Sequence, residues 1–362
     1  MNRLVIIDGN AILHRAFHAL PPLTTGEGEL INAVYGFTSM LFRIIEDLKP
    51  QYLAVTFDRP KPTFRKSLYA GYQAHRPKMD EGLSSQIGRV HEVLEVMKIP
   101  IFEVDGYEAD DVIGTLVSET SGLKLKSPFG KAWGKQKSPY NLQSKFTGQA
   151  KVKNTTQNSK LYRDVETIIV TGDRDILQLV DSDTKVCMPV KGLAETKIYG
   201  EKEVVEKFGI HPTQMIDYKS LVGDQSDGYP GVLGVGPKTA AELLTRFKTL
   251  EGAYEHIGEI ESEKLRKTLS ENFEQAELAK RLATIVRDVP INFDLKKCRL
   301  PDFNNKQVLD LFKKLEFKSL VARVGFWGKG GEKDEEREKI MAEIFPKKID
   351  KKEDKKDQLS MF

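Results

Sequence analysis

Thr167-Ile168-Ile169-Val170-Thr171-Gly172-Asp173-Arg174-Asp175 decides the fold: a β-branched apolar run that stops on two carboxylates. Such a run reads as a strand buried on both faces. The pattern recurs. Leu4-Val5-Ile6-Ile7 stops on Asp8, and Leu53-Ala54-Val55-Thr56-Phe57 stops on Asp58. Gly106-Tyr107-Glu108-Ala109-Asp110-Asp111 places three carboxylates in four positions at the head of an apolar segment, and Leu221-Val222-Gly223 leads into Asp224 and Asp227. Strands are expected over 3–8, 52–57, 101–104 and 166–171, with helices over 32–47, 83–97 and 108–119. This alternation predicts an α/β protein with a parallel sheet covered by helices on both faces. In such sheets the ligand crevice lies at the carboxyl ends of the strands.

Carboxylates so close together repel one another unless a multivalent cation sits among them. An all-oxygen set selects Mg²⁺ or Mn²⁺ rather than zinc. Two such ions, ~4 Å apart, can activate water and stabilise the leaving oxygen of a phosphodiester. Glu108 and Asp111 share a helix face, whereas Asp110 joins them only if the helix starts there. Any one of these acids reads equally well as a helix cap or a solvated loop residue. Nine of them at element ends read as a metal site.

The chain has 362 residues, 30% of them charged, and a net charge of +3. Its apolar runs are too short for a membrane span, and Asp8 comes too early for a signal peptide. Cys187 and Cys298 form no ligand pattern and suit a reducing compartment. A cytoplasmic, nucleoid-associated protein is expected. The charge is segregated: Ser121–Arg163 holds ten Lys or Arg and no acid. That stretch is broken by glycines and prolines and predicts a surface insertion. Arg59–Pro77 mixes cations with aromatic rings, a composition suited to phosphates and bases. From Gly200 the pattern becomes helical, with helices expected over 201–208, 212–222, 238–247 and 274–286. Within it, Gly231-Val232-Leu233-Gly234-Val235-Gly236-Pro237-Lys238-Thr239 opens a helix whose free N–H groups could hold an anion. It is not a Walker A loop, and no strand precedes it as a dinucleotide fingerprint needs. Past Gly328 the sequence is a charged tail ending Gln358-Leu359-Ser360-Met361-Phe362.

Together these motifs resemble the 5′-nuclease family, which includes the N-terminal domain of bacterial DNA polymerase I, its stand-alone relatives and flap endonucleases. The resemblance is carried by Ile7-Asp8-Gly9-Asn10, Arg15-Ala16-Phe17-His18-Ala19-Leu20, Tyr35-Gly36-Phe37, Tyr107-Glu108-Ala109-Asp110-Asp111, Thr171-Gly172-Asp173-Arg174-Asp175, Gly223-Asp224-Gln225-Ser226-Asp227 and the glycine hairpin. It implies a PIN-like parallel-sheet core over 1–199, a helical arch at about 59–82, the insertion at 121–163, a helix-hairpin-helix lobe over 200–327 and a flexible tail over 328–362. It implies two divalent ions that cut 5′ ends and 5′ flaps of DNA in replication and repair. A K⁺ ion would assist the hairpin.

By the same resemblance, Asp8, Asp58, Glu108 and Asp110 hold the first ion. Asp173, Asp175 and Asp224 hold the second, and Asp111 and Asp227 bind directly or through water. Arg15, Arg76 and Lys78 are the cations expected at the reacting phosphate. His14, Arg65, Lys66 and Tyr72, with Gly231, Gly234, Gly236, Lys238 and Thr239, are expected to contact DNA. Gln358, Leu359, Met361 and Phe362 resemble a sliding-clamp-binding peptide, and a monomer is expected. Four features depart from the family. Gln73 stands where a lysine is usual, His14 where a tyrosine is, and Gly228 where an asparagine is, and the 121–163 connection is long. Rival readings are a junction binder weakened by Gln73, a PIN-like ribonuclease, and the N-terminal piece of a polymerase.

Overall fold

The computed structural model describes residues 2–121, 165–191, 195–303 and 306–325. Its centre is a six-stranded sheet built from β1 (Asn2–Asp8), β2 (Tyr52–Thr56), β3 (Ile101–Phe102), β4 (Val165–Val170), β5 (Thr184–Lys191) and β6 (Glu195–Tyr199), in the order β3-β2-β1-β4-β5-β6. All neighbours run parallel except the β5–β6 pair. β1 aligns Ile7 with Val55 on one side and with Val170 on the other. The chain winds outward from β1 to β3, then returns to lay β4 against β1's other edge. The strand order therefore reverses between β1 and β4, and a crevice opens beyond their carboxyl ends. Asp8 and Asp173 sit there.

The expected strands form because their side chains bury on both faces: Leu4 to Ile7 and Leu53 to Val55 are all at most 1% exposed. Around the sheet lie α1 (Gly9–Ala19), α2 (Asn32–Leu48), α3 (Phe64–Leu68), α4 (Glu81–Ser84), α5 (Ile87–Val96) and α6 (Ala109–Thr120). The single helix expected over 83–97 is two, α4 and α5, because Gln86 interrupts it. Its buried amide accepts from Ala33 and Val34 N–H and donates to Gly82 O and Asn32 Oδ1, tying the break to α2. Among the elements on and around the sheet, β5, β6 and α1 have no counterpart in the expected set.

The helical part contains α7 (Glu201–Phe208), α8 (Met215–Val222), a two-residue ribbon of β7 (Gly223–Asp224) with β8 (Tyr229–Pro230), then α9 (Pro237–Phe247), α10 (Leu250–Glu255), α11 (Glu263–Glu271) and α12 (Phe273–Ala283). It does not have a core of its own. One apolar cluster runs from Leu4 and Ile6 through Val112 and Leu116 to Leu221, Leu244 and Ala276. The expected boundary at 199/200 therefore cuts through a shared interior, and the compact unit spans Met1–Pro301. The second unit begins at Asp302 and contains α13 (Lys306–Lys314) and α14 (Lys318–Gly325), with Phe312 and Phe317 buried against each other at 5.9 Å between ring centroids. The insertion expected over 121–163, apart from Ser121, and the tail expected over 328–362 lie outside the described residues.

Candidate metal centre

Asp8 is the last residue of β1 and the N-cap of α1, where its Oδ1 accepts from Ala11 N–H at 3.0 Å. Its Oδ2 accepts from the buried Thr171 hydroxyl at 2.7 Å. Thr171 also accepts from Asp173 N–H at 3.0 Å, so one hydroxyl ties together the acids that end β1 and β4. Asp58, just beyond β2, accepts from Ala109 N–H at 2.7 Å and donates its own N–H to Asn10 Oδ1. That bond aims the first turn of α6 at the crevice. Glu108 is the N-cap of α6 and accepts from the Thr63 and Tyr72 hydroxyls. Asp110, in that first turn, converges with the others because the helix begins there.

The electrostatics report the same convergence. Burial, then the charges of Asp173, Asp8, Asp58 and Glu108, push the Asp110 carboxyl well above its ordinary range. Burial likewise raises Asp8, Asp58, Glu108 and Asp173, against the hydrogen bonds and cations near them. Asp224 goes the other way. Burial would raise it, but the Lys219 charge and hydrogen bond, with the Ser226 hydroxyl, outweigh burial and hold it below the ordinary value. Asp175, Asp224 and Asp227 form a second group with carboxylate oxygens within 4.8 Å of one another. The arch lies on this group: Asp227 Oδ1 accepts from Arg76 at 2.6 Å and from the Gln73 amide at 3.0 Å, and Oδ2 accepts from Tyr72 at 3.1 Å.

Three expected site residues are corrected. Asp111 is fully buried, and both its oxygens are taken. Oδ1 accepts from Arg65 Nη2 and Val286 N–H, each at 2.8 Å, and Oδ2 from Arg65 Nη1 at 2.8 Å and Glu108 N–H at 3.1 Å. Four donors leave no oxygen for a cation, so Asp111 is a structural acid. Arg65, expected to contact DNA, is 2% exposed, donates also to Leu282 O and Thr284 O, and is ion-paired with Glu108 at 3.3 Å. It fastens the arch base and α6 to the end of α12. Tyr72, also expected at DNA, is 2% exposed and held by Glu108 and Asp227.

The other expected contacts remain on the surface. His14, on α1, is exposed, with a pKa lowered by partial burial and then by His18 and Arg76. Lys66, Arg76 and Lys78 are exposed on the arch, and Arg15 is partly exposed on α1. In the hairpin, Gly234 has φ +83° and open space around it, and Gly236 is the N-cap of α9 with Lys238 and Thr239 in the first turn. Gly231 serves packing instead. A Cβ there would sit 2.3 Å from Gly223 N and 2.4 Å from Leu221 O, so glycine lets the hairpin close on α8. Two residues of the site went unassigned in the sequence. Thr171 lies inside a quoted motif, so proximity could have marked it. Lys219 sits five residues before Asp224, and only the fold brings it to Asp175.

Residues 3–127 match the 5′-3′ exonuclease N-terminal resolvase-like domain, and residues 210–306 match the 5′-3′ exonuclease C-terminal SAM fold. The 5′-3′ exonuclease of Aquifex aeolicus is 34% identical over 329 residues, covering 90% of this chain and 96% of that protein. The chain belongs to the 5′-3′ exonuclease family. DNA polymerase I of Caldicellulosiruptor bescii is 40% identical over 325 residues, 89% of this chain, and the 5′-3′ exonuclease-family chain spans 33% of that polymerase's length. Among solved structures, the bacteriophage T5 5′-exonuclease with bound zinc superposes with a TM-score of 0.56 at 16% identity, covering 95% of this chain and 99% of the phage protein. A T5 flap endonuclease complex with DNA and metal ions gives 0.56 at 15% identity, covering 89% of this chain and 99% of the other. These two, with the resolvase-like family match, establish the fold of the exonuclease-family chain as the PIN-like one that the sequence reading expects. Among its described residues no helix is long and apolar enough to cross a membrane.

Proposed function

We propose that the chain is a divalent-metal-dependent 5′-3′ exonuclease and 5′ flap endonuclease acting on DNA. One observation carries the reading: carboxylates at or just beyond the ends of β1, β2 and β4 and at the start of α6 converge at the sheet's reversal point, with Asp8 buried and Glu108, Asp110 and Asp173 half-buried. No lysine or arginine of the described residues pairs with Asp8 or Asp110. Hard cations fit this all-oxygen donor set, and Mg²⁺ or Mn²⁺ is the choice. Asp8, Asp58, Glu108 and Asp110 would hold one ion, and Asp173, Asp175 and Asp224, with Asp227 at the edge, a second. When bound, such ions offset the charge that builds on a phosphodiester under attack by water.

The chain's own residues do the rest. Arg76, already at the edge of the carboxylates, and Lys78 near it in sequence would neutralise the reacting phosphate, joined by Arg15 of α1. Gly234, Gly236, Lys238 and Thr239 offer a duplex backbone a charge and the free N–H groups of α9. K⁺ at this hairpin, a cytoplasmic monomer, and clamp binding by Gln358, Leu359, Met361 and Phe362 complete the proposal.

The test is cleavage of end-labelled flap, nicked and single-stranded DNA with and without Mg²⁺. Flap and nick should be cut only with the ion. Asp173→Ala should lower the rate by about three orders of magnitude, roughly 4 kcal/mol of barrier, while still binding flap DNA in Ca²⁺. Near-normal cleavage by Asp173→Ala would remove the two-ion assignment.

A further inference from the structure

Lys219 projects from α8 into the second carboxylate group. Its ammonium donates to Asp224 Oδ2 at 2.5 Å and is ion-paired with Asp175 Oδ1. The side chain is 12% exposed, as enclosed as the two acids that face it. Taking an ammonium out of water costs several kcal/mol unless carboxylates replace its hydration, and Asp175 and Asp224 do so. They are two of the three acids whose oxygens lie within 4.8 Å of one another. The third, Asp227, is held by Arg76, Gln73 and Tyr72. The acids of the first group lack such a lysine. The two halves of the centre therefore differ: in the first, Glu108 alone is ion-paired, with Arg65 at 3.3 Å, whereas the second holds Lys219 between two of its acids.

Resting on the two-ion reading above, we infer that Lys219 is a resident counter-cation of the second carboxylate group and must leave the Asp175–Asp224 cleft when a divalent ion enters. The argument is one of shared oxygens. An ammonium bonded to both carboxylates uses the lone pairs that face their common space. A divalent ion needs those lone pairs at about 2.1 Å, and two cations on the same oxygens repel. The four-carbon stem of lysine lets the charge withdraw by changing rotamer, with α8 left in place. The first group then loads ahead of the second, and the affinity of the second is lowered by the work of dislodging Lys219. An arginine here would hold the pair more rigidly through its planar fork, and a neutral side chain would leave the cleft open.

The experiment uses the full-length chain and Mn²⁺. Calorimetric titration compares wild type with Lys219→Met and Lys219→Gln, both checked for folding by circular dichroism. Acetylation of Lys219, followed by mass spectrometry, is measured in the wild type with and without Mn²⁺. A two-step isotherm is expected, whose weaker step tightens about tenfold in both variants, equivalent to about 1.4 kcal/mol. Mn²⁺ should raise Lys219 acetylation severalfold. Acetylation that stays level or falls on metal binding overturns the inference, and so does a weaker step unchanged in folded variants. The wild-type acetylation result decides the matter even if both variants misfold. Two bound ions with Lys219 protected throughout would sink the inference alone. No Mn²⁺ binding to the wild type would sink the two-ion reading and the inference with it.

Discussion

Asp110 and Asp111 are neighbours on one helical turn, yet they belong to opposite kinds of site. Asp111 faces inward and meets Arg65 through two oxygens, with Val286 and Glu108 N–H completing its shell. Asp110 faces the crevice and meets other carboxylates, which push its proton affinity up after burial has done so. The comparison teaches that a buried charge is either balanced by the fold or left for a ligand. Asp111 is a finished interaction. Asp110 is an unfinished one, and its repulsion is the cost of keeping a place for a cation.

Breaking the finished half should have the largest effect on stability. Arg65→Met leaves the Asp111 carboxylate buried without its partner, and should cost about 3–5 kcal/mol. Chemical denaturation should show this loss equally with chelator and with Mg²⁺. A loss that Mg²⁺ reverses would place Asp111 among the metal ligands after all.

Relieving the unfinished half should stabilise. Asp110 carries a raised pKa in the folded protein and an ordinary one in the unfolded chain. Below the ordinary carboxylate range both states are protonated and nothing differs. As pH rises through the window between the two, the unfolded chain loses its proton first, so the folded form loses stability. Asp110→Asn should remove that contribution and gain about 2 kcal/mol at neutral pH in chelator. Its stability should also fall less steeply with pH. Thermal melts in EDTA across the acid-to-neutral range would show it, and a destabilised Asp110→Asn at neutral pH would contradict the assignment.

The smallest effect is expected at the arch, where the two groups meet. Gln73 has φ +52° and donates both its backbone N–H and its amide to Asp227. Beside it, Gly228 has φ +72°, and a Cβ there would lie 2.6 Å from the His75 ring. The two departures from the family are therefore spatial neighbours, and a larger residue at 228 displaces His75. Gln73→Lys adds a cation beside Arg76 and should raise single-turnover cleavage about threefold, roughly 0.7 kcal/mol of barrier. Quench-flow measurement would decide, and an unchanged rate would show that Arg76 and Lys78 already supply the charge.

The strands that carry the site were legible because burial on both faces demands long β-branched runs, as in Leu4–Ile7 and Thr167–Val170. β5 and β6 were not. β6 lies at the sheet edge with Ile198 44% exposed, and β5 beside it leaves Val190 55% exposed and is interrupted by Pro189, so the buried-strand signature is diluted. The acids were legible as a set through their places at element ends, but not in their division of labour. Arg65 is separated from Asp111 by 46 positions and from Thr284 by 219, distances that local spacing does not reach. Lys219 was invisible for the same reason, since a lysine on an amphipathic helix ordinarily faces water.

Arg65 and Gln86 are also fixed posts at the two ends of the arch, and between them Tyr72, Gln73 and Arg76 pin its middle to Asp227. One is clamped to α6 and the carbonyls of Leu282 and Thr284, and the other to the first turn of α2. Treated as a polymer, the chain between them is a closed strap whose contour cannot exceed about 70 Å at 3.3 Å per residue. With the Asp227 bonds released, its widest opening is set by residue count. Substitutions between the posts change what lines the aperture, while insertions and deletions change how wide a strand or helix it can encircle.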